Sequence, residues 1–362
     1  MNLVRMAVLL VSLSALSCSG SGSGGASTSS GGGSSGASSG GGSGGGSGGS
    51  SGGTSSSGGS GGSSGGASSS GSGGSSGGTG SSSGSSGANP DAGVSADSIT
   101  LTMGPFTVPP STEVFKCQTF ANPFGGKDTD VKEYEEHMTT GSHHMFLFFS
   151  PNATDGAVQD CPSGGLEFHP YPFSAQTKDF TMTYPPTVGS RIPGTMGFMM
   201  NAHFINVTTT PYQATLTVTL HLAAPGAVTQ YAGVMFMNNV GITVPPDDQP
   251  HTTTASCTVP QAMNVMGSAS HMHQRATDFV ATSGGQTLYK TQAWADPVPS
   301  IYTPPVALAK SSQVTWSCTY VNDTTQTLTF GESAQTNVMC IYSMQFYPVA
   351  DPTNPTISCQ QL

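Results

Sequence analysis

The residues best suited to chemistry are five histidines and a methionine in three clusters: His143 and His144 in "SHHMFLFF", His203 in "NAHFIN", and His271 and His273 in "SHMHQ" with Met339 in "NVMCIY". Three imidazoles come from one half of the chain and a His-His-Met set from the other, which predicts two separate metal centres. Imidazole alone serves zinc, copper, iron and nickel alike. A thioether beside two imidazoles favours copper, above all Cu(I). No zinc-type spacing of four cysteines, or of two cysteines and two histidines, competes.

Local structure must present these groups. His271 and His273 are two apart, so on a strand both face one side while Met272 faces the other. An isolated His-x-His is most simply two polar residues on an amphipathic strand, and Met339 alone is most simply core filling. In an extended strand Met339 and Cys340 face opposite sides. His143 and His144 are adjacent and would splay apart on a regular strand, so joint coordination requires a strand end or a bulge; "TTGSHH" supplies a turn just before them. His203 alone reads as a satisfied buried histidine. His137, His169, His221 and His251 read as surface or structural, with His169 in "EFHPYPF" expected nearest the cleft.

Strand signals dominate. Leu216, Val218, Leu220 and Leu222 alternate with Thr215, Thr217, Thr219 and His221, the period of a half-buried strand. Similar runs recur at "SITLTM", "HHMFLFF", "FTMTY", "YAGVMFM", "QVTWSCTYV" and "CIYSMQFYPV", separated by Gly, Pro, Asn and Asp turns. The pattern predicts an all-β fold of antiparallel sandwiches. The acidic stretch "DTDVKEYEEH" reads as a solvated loop.

The order and context of the clusters resemble the copper type II, ascorbate-dependent monooxygenases, the family of peptidylglycine α-hydroxylating monooxygenase and dopamine β-hydroxylase. The resemblance spans about Cys117 to Cys359. It includes "LTVTLHL" followed by "YAGVMFMNN", the "VPP" before Cys257, the His-x-His, the Cys-x-Tyr-x-Asn at Cys318, and Met339-Cys340 leading into "QFYP". It implies two tandem jelly-roll-like domains, taken as 96–230 and 231–362. It also implies two copper ions. His271, His273 and Met339 would bind and activate O2, and His143, His144 and His203 would supply an electron. The implied reaction hydroxylates a C–H bond of a small organic substrate with O2 and ascorbate or a similar one-electron donor. Peptidylglycine-specific members carry an arginine where Ala269 stands and a pocket tyrosine where Ser343 stands, so a peptide carboxylate is not the expected substrate.

Residues 1–18 read as a lipoprotein signal: Arg5, an apolar stretch from Met6 to Leu16 too short to span a bilayer, and Cys18 as the lipidated residue. The 70 residues from Ser19 to Ala88 are only Gly, Ser, Thr and Ala. A coil of that length reaches roughly 45 to 50 Å, and the linker, taken as 19–95, is expected to be a disordered tether. Of the seven cysteines, six remain after Cys18, an even set suited to disulfides in an oxidising compartment. Six allow 15 pairings. The resemblance implies Cys117–Cys161, Cys257–Cys359 and Cys318–Cys340.

The remainder carries all 19 acidic residues and all of the 9 basic ones except Arg5, a formal charge of −11. That disfavours nucleic acid and anionic lipid as partners; a small substrate, O2, membrane attachment through the anchor alone, and a monomer are expected. No nucleophile elbow outside the Gly/Ser run, P-loop or dinucleotide fingerprint is present. The rival reading is a copper-buffering surface lipoprotein without turnover. A third is an adhesive module that binds no metal.

Overall fold

A computed structural model describes residues 97–162 and 169–361. The signal, Cys18 and the Gly/Ser linker lie outside the described residues, so the expectations placed on them do too.

The described residues build two β-sandwiches within one compact unit. The eight main strands of the first are Ser98–Val108, Thr112–Phe120, Thr129–Met138, Ser142–Pro151, Phe173–Ala175, Val188–Ile192, Met196–Asn206 and Tyr212–Leu222. Those of the second are Gly233–Asn239, Pro250–Thr258, Met263–Met272, Ala276–Ser283, Gln286–Thr291, Ser300–Leu308, Gln313–Val321 and Cys340–Tyr347. Taken in chain order, both sandwiches pair their strands first-eighth-third-sixth in one sheet and second-seventh-fourth-fifth in the other. This is the double Greek key of a jelly roll. The main ladders are antiparallel; Gln230–Tyr231 and Thr356–Gln361 extend one sheet of each sandwich by parallel pairing.

Alternation explains the strands. In Tyr212–Leu222, Leu216, Val218 and Leu220 are fully buried while the threonines between them are half-buried. Each such leucine contributes about 1.5–3 kcal/mol on leaving water. The first interior holds residues from Ile99 to Ala232 with Met266, the second residues from Met235 to Phe346. A third apolar cluster joins Phe148 and Tyr171 of the first sandwich to Val234, Phe236, Met339 and Ile341 of the second.

The acidic stretch is not a loop. It forms the Thr129–Met138 strand, because Val131, Tyr134 and Met138 point into the core while Lys132, Glu135 and His137 point out. Glu136 is drawn inward by the same alternation and is 2% exposed. All three disulfides that the resemblance implies are formed: Cys117–Cys161, Cys257–Cys359 and Cys318–Cys340. They belong to an oxidising, extracytoplasmic compartment.

Candidate metal centre

In the first sandwich the histidines sit on two neighbouring strands. Gly141, at φ 99°, turns the chain immediately before Ser142–Pro151, a conformation open to glycine. The ladder register then shifts between Ser142 and His144. This is the bulge that two adjacent histidines require. His144 lies directly opposite His203 in the ladder, and His203 directly opposite Phe115 on its other side. The Phe115 ring stacks on His203 with centroids 4.0 Å apart. Phe146 and Phe148 continue the outward face of His144, stacked at 5.2 Å.

In the second sandwich His271 and His273 leave the end of Met263–Met272 on one side, while Met272 is fully buried in the opposite core. Met339 stands one residue before Cys340–Tyr347. It joins the cluster between the sandwiches, whereas Cys340 is locked to Cys318 in the interior. The Tyr320 hydroxyl donates to the Met339 carbonyl at 2.6 Å, which fixes that backbone.

Hydrogen bonds set three of the five tautomers. The Gln176 amide nitrogen donates to the Trp294 carbonyl at 3.1 Å, so the amide oxygen faces His271 and accepts from its Nδ1 at 2.9 Å. His273 Nδ1 donates to the Asn337 carbonyl at 3.3 Å. His203 Nε2 donates to the Glu113 carboxylate at 3.1 Å. Each ring therefore keeps one lone pair: Nε2 on His271 and His273, Nδ1 on His203. A partner on the far nitrogen is how ligand imidazoles are held.

Among the described residues five buried imidazole nitrogens have no hydrogen-bond partner: both of His143, Nδ1 of His144, Nδ1 of His203 and Nε2 of His273. Each unsatisfied group costs about 1–3 kcal/mol, a concentration of cost that bound metal would relieve at one nitrogen of each ring, the other nitrogen of His143 carrying its hydrogen. Burial, and then the neighbouring imidazoles, hold His143, His144 and His271 well below the usual histidine pKa. Burial pushes His273 down to about 3 and also lowers His203 against the opposing pull of Glu113. All five rings are neutral at pH 7, the form that ligates metals.

The two sets meet. His143 lies 4.8 Å from His271 and 5.7 Å from His273 by ring centroid, and His144 lies 5.0 Å from His271. These spacings match those within each set, 5.4 Å for His143 and His144 and 5.1 Å for His271 and His273. Instead of two centres facing each other across a gap, the structure has one continuous imidazole cluster. Donor atoms of His143, His271 and His273 all lie within 4.8 Å of one another. One ion with metal–nitrogen bonds of about 2.0–2.1 Å spans about 4 Å between opposed donors, so this mixed trio is close to a formed site.

Three residues essential to this arrangement escaped the sequence reading. Glu113 accepts from His203 and also from the Ser333 hydroxyl at 3.0 Å, the Ala334 amide at 3.0 Å and the Gln335 amide at 3.1 Å. One carboxylate thus orients a first-sandwich histidine and pins the second-sandwich loop whose Asn337 holds His273. Burial alone would raise its pKa, but the bonds from His203, Ala334 and Ser333 outweigh it and the net shift is downward. Gln176 ties the first sandwich to His271. Trp294 lies edge-on to His143 at 5.8 Å. Nothing in "STEVF", "SAQTK" or "QAWAD" marks these positions, since each acts through a contact distant in sequence.

His137, His221 and His251 lie outside the cluster, beside Asp179, beside Glu133 and Glu135, and beside Asp247 respectively. A cavity of about 330 Å³ opens on the cluster, lined by His144, His271 and Met339 among others, with His169 on its wall. The two positions where this chain departs from the peptidylglycine pattern face each other there. Ala269 and Ser343 are direct ladder partners, and the Ser343 hydroxyl donates to the Ala269 carbonyl at 3.3 Å.

No family model matches this chain, and no curated protein matches it. Similar solved structures include the major capsid protein P2 of bacteriophage PM2, with a TM-score of 0.31 at 6% identity over 70% of this chain and 98% of that one. A structure of infectious bursal disease virus Gx strain gives 0.14 at 8% identity over 70% and 82%. Vicilin from Solanum lycopersicum (tomato) gives 0.13 at 7% identity over 70% and 76%. At these scores the likenesses carry no argument. Fold and site define the chain as a double jelly roll with a buried histidine cluster.

Proposed function

We propose that this chain is a copper-dependent monooxygenase, hydroxylating a C–H bond of a small organic substrate with O2 and two electrons from ascorbate or a similar one-electron donor. The balance is R–H, O2, two electrons and two protons giving R–OH and water. The observation that carries this reading is the set of neutral imidazoles, three with fixed tautomers, gathered from two sandwiches beside a substrate-sized cavity with a thioether on its wall. Copper, when bound, supplies one-electron redox chemistry and the reaction with O2, and the thioether of Met339 favours its Cu(I) state.

The protein's own groups do the rest. His143, His271 and His273 are the donor set for one ion, and His144 and His203, opposite each other in the ladder, are left for a second. Gln176, the Asn337 carbonyl and Glu113 keep the lone pairs aimed inward. The aromatic face of Phe146, Phe148, Tyr171 and Phe236 keeps water from the substrate side.

The test is copper analysis with electron paramagnetic resonance, together with ascorbate-driven oxygen uptake, on the full chain. The expected result is two coppers per chain and uptake above that of the same free copper. Copper binding without uptake replaces this reading with a copper-buffering protein, and no stoichiometric copper removes both. The chain is further proposed to be a lipoprotein anchored at Cys18. Cys18→Ser should then move it from the membrane fraction to the soluble one, and a variant that stays with the membrane refutes the anchor.

A further inference from the structure

The walls of the cavity beside the cluster differ in chemistry. One is aromatic: Tyr171 stands edge-on to Phe146 at 5.2 Å and to Phe148 at 5.9 Å, and Phe236, 6.3 Å from Tyr171, reaches toward them from the facing sheet, where it pairs with Ser343. The facing wall is the outward side of the second sandwich's larger sheet. Its ladder pairs run from His271 with Ile341, through Ala269 with Ser343, to Gly267 with Gln345. Strands rise about 3.3–3.4 Å per residue, so each two-residue step carries the wall about 7 Å further from the imidazoles. The wall therefore reads metal-ligating, then apolar, then hydroxyl, then amide.

No lysine or arginine lines this cavity among the described residues, and Glu332 is its single carboxylate. Lys116, Lys178, Arg191 and Arg275 are paired with aspartates elsewhere. In the metal-free chain an anion brought here would be desolvated against aromatic rings with no cation to receive it. Glu332 is half-exposed, and a carboxylate screened by water gives a cation little. A neutral ring loses nothing on entering. Its polar end then meets Ser343, whose hydroxyl donates to Ala269 and keeps lone pairs to accept, and Gln345.

We propose that this cavity takes an uncharged small molecule with an aromatic or ring-sized apolar body seated against Phe146, Phe148 and Tyr171, and a neutral hydrogen-bonding group reaching Ser343 and Gln345. As the substrate class of the reaction this rests on the monooxygenase reading; as a binding site it does not.

Calorimetric titration of the full chain, stripped of metal and again after copper loading, with phenylpropanol, phenylpropanoate and phenylpropylammonium compares one body carrying three heads. In the metal-free chain the alcohol should bind tightest, with the carboxylate weaker by about tenfold or more because its charge is buried unpaired. Ser343→Tyr fills the cavity and should abolish alcohol binding at unchanged melting temperature; if it fails to fold, Ala269→Val narrows the same ladder pair and should weaken the alcohol. Tightest binding of the carboxylate or the ammonium to the metal-free chain, or no binding of the alcohol, overturns the inference. Because the first titration contains no metal, a copper failure shows separately in the metal analysis.

Discussion

The two sandwiches share one strand order but use opposite sheets. The first turns outward the sheet built from its second, seventh, fourth and fifth strands, with Phe115, His203, His144 and Phe146 in adjacent strands. The second turns outward its first-eighth-third-sixth sheet, with Phe236, Ile341 and His271 on neighbouring strands. The ligand sets are therefore not copies of one motif on a repeated fold. The first half offers imidazoles beside a bulge, the second a His-x-His at a strand end. Among the described residues each half leaves buried imidazole nitrogens without a partner, and the donors of His143 in the first half lie close enough to those of His271 and His273 in the second to share one ion.

That dependence is broken most directly at His143. If the halves held independent centres, His143→Ala would leave copper at His271 and His273 untouched. In a shared cluster the same change removes a donor lying within 4.8 Å of both. The expected outcome is a loss of more than about 100-fold in copper affinity at the second-half pair, beyond the 10–100-fold typical of outer-shell changes. Copper titration followed by electron paramagnetic resonance checks it, and an unchanged second-half signal restores two separate centres.

Glu113 tests the link between halves without touching a ligand. Glu113→Gln keeps the shape, yet an amide oxygen cannot accept all four bonds that the carboxylate receives from His203, Ser333, Ala334 and Gln335. Copper affinity should fall by about 10–100-fold. Hydrogen exchange should quicken at Ala334 and Gln335 while interior strands of both sandwiches stay protected, and unchanged exchange there means that Glu113 serves His203 alone.

A third contrast sets the first core against the junction. Burial, then the charge of Asp179, pushes Glu136 from 4.5 up to about 9. A carboxyl raised in the fold contributes stability that is fully present below the unfolded value and lost as pH rises through about 9. The metal-free histidines run the other way. With His273 lowered from 6.5 to about 3, their contribution is present above 6.5 and lost as pH falls through about 3. Glu136→Gln should therefore flatten the fall in stability that runs with rising pH from 4.5 to about 9, read as urea midpoints across that window. An unaltered fall over that window would refute the assignment.

Residues whose roles are local were legible in the sequence. Alternation gave the strands, the two-residue spacing put His271 and His273 on one side, and adjacency at His143 demanded the bulge found before His144. The disulfide pairing came only through the family resemblance. Two things stayed hidden. The acidic run was weighed by its charge rather than its alternation, although Tyr134, Glu136 and Met138 turn inward between the outward Glu135 and His137. The merging of the ligand sets depends on two outward faces meeting, and no periodicity within a strand encodes which outward face that will be.

Met339 separates chemistry from packing at the smallest energetic scale. Its side chain is 4% exposed among Phe148, Tyr171, Phe236 and Ile341, and its backbone is fixed independently by Tyr320 and the Cys318–Cys340 bridge. Met339→Ile preserves volume, so it should cost less than about 1.5 kcal/mol of stability. The thioether is the only soft donor on the cavity wall among the described residues, apart from Met145, whose side chain packs in the first interior. Loss of the sulfur should weaken Cu(I) binding and oxygen uptake while Cu(II) binding to the imidazoles persists, because imidazole serves both states and the thioether favours the reduced one. Cu(I) affinity, oxygen uptake and melting temperature measured on one preparation decide the matter. If the first two hold while stability falls slightly, Met339 belongs to the packing between the sandwiches, and the imidazole cluster alone must account for the chemistry.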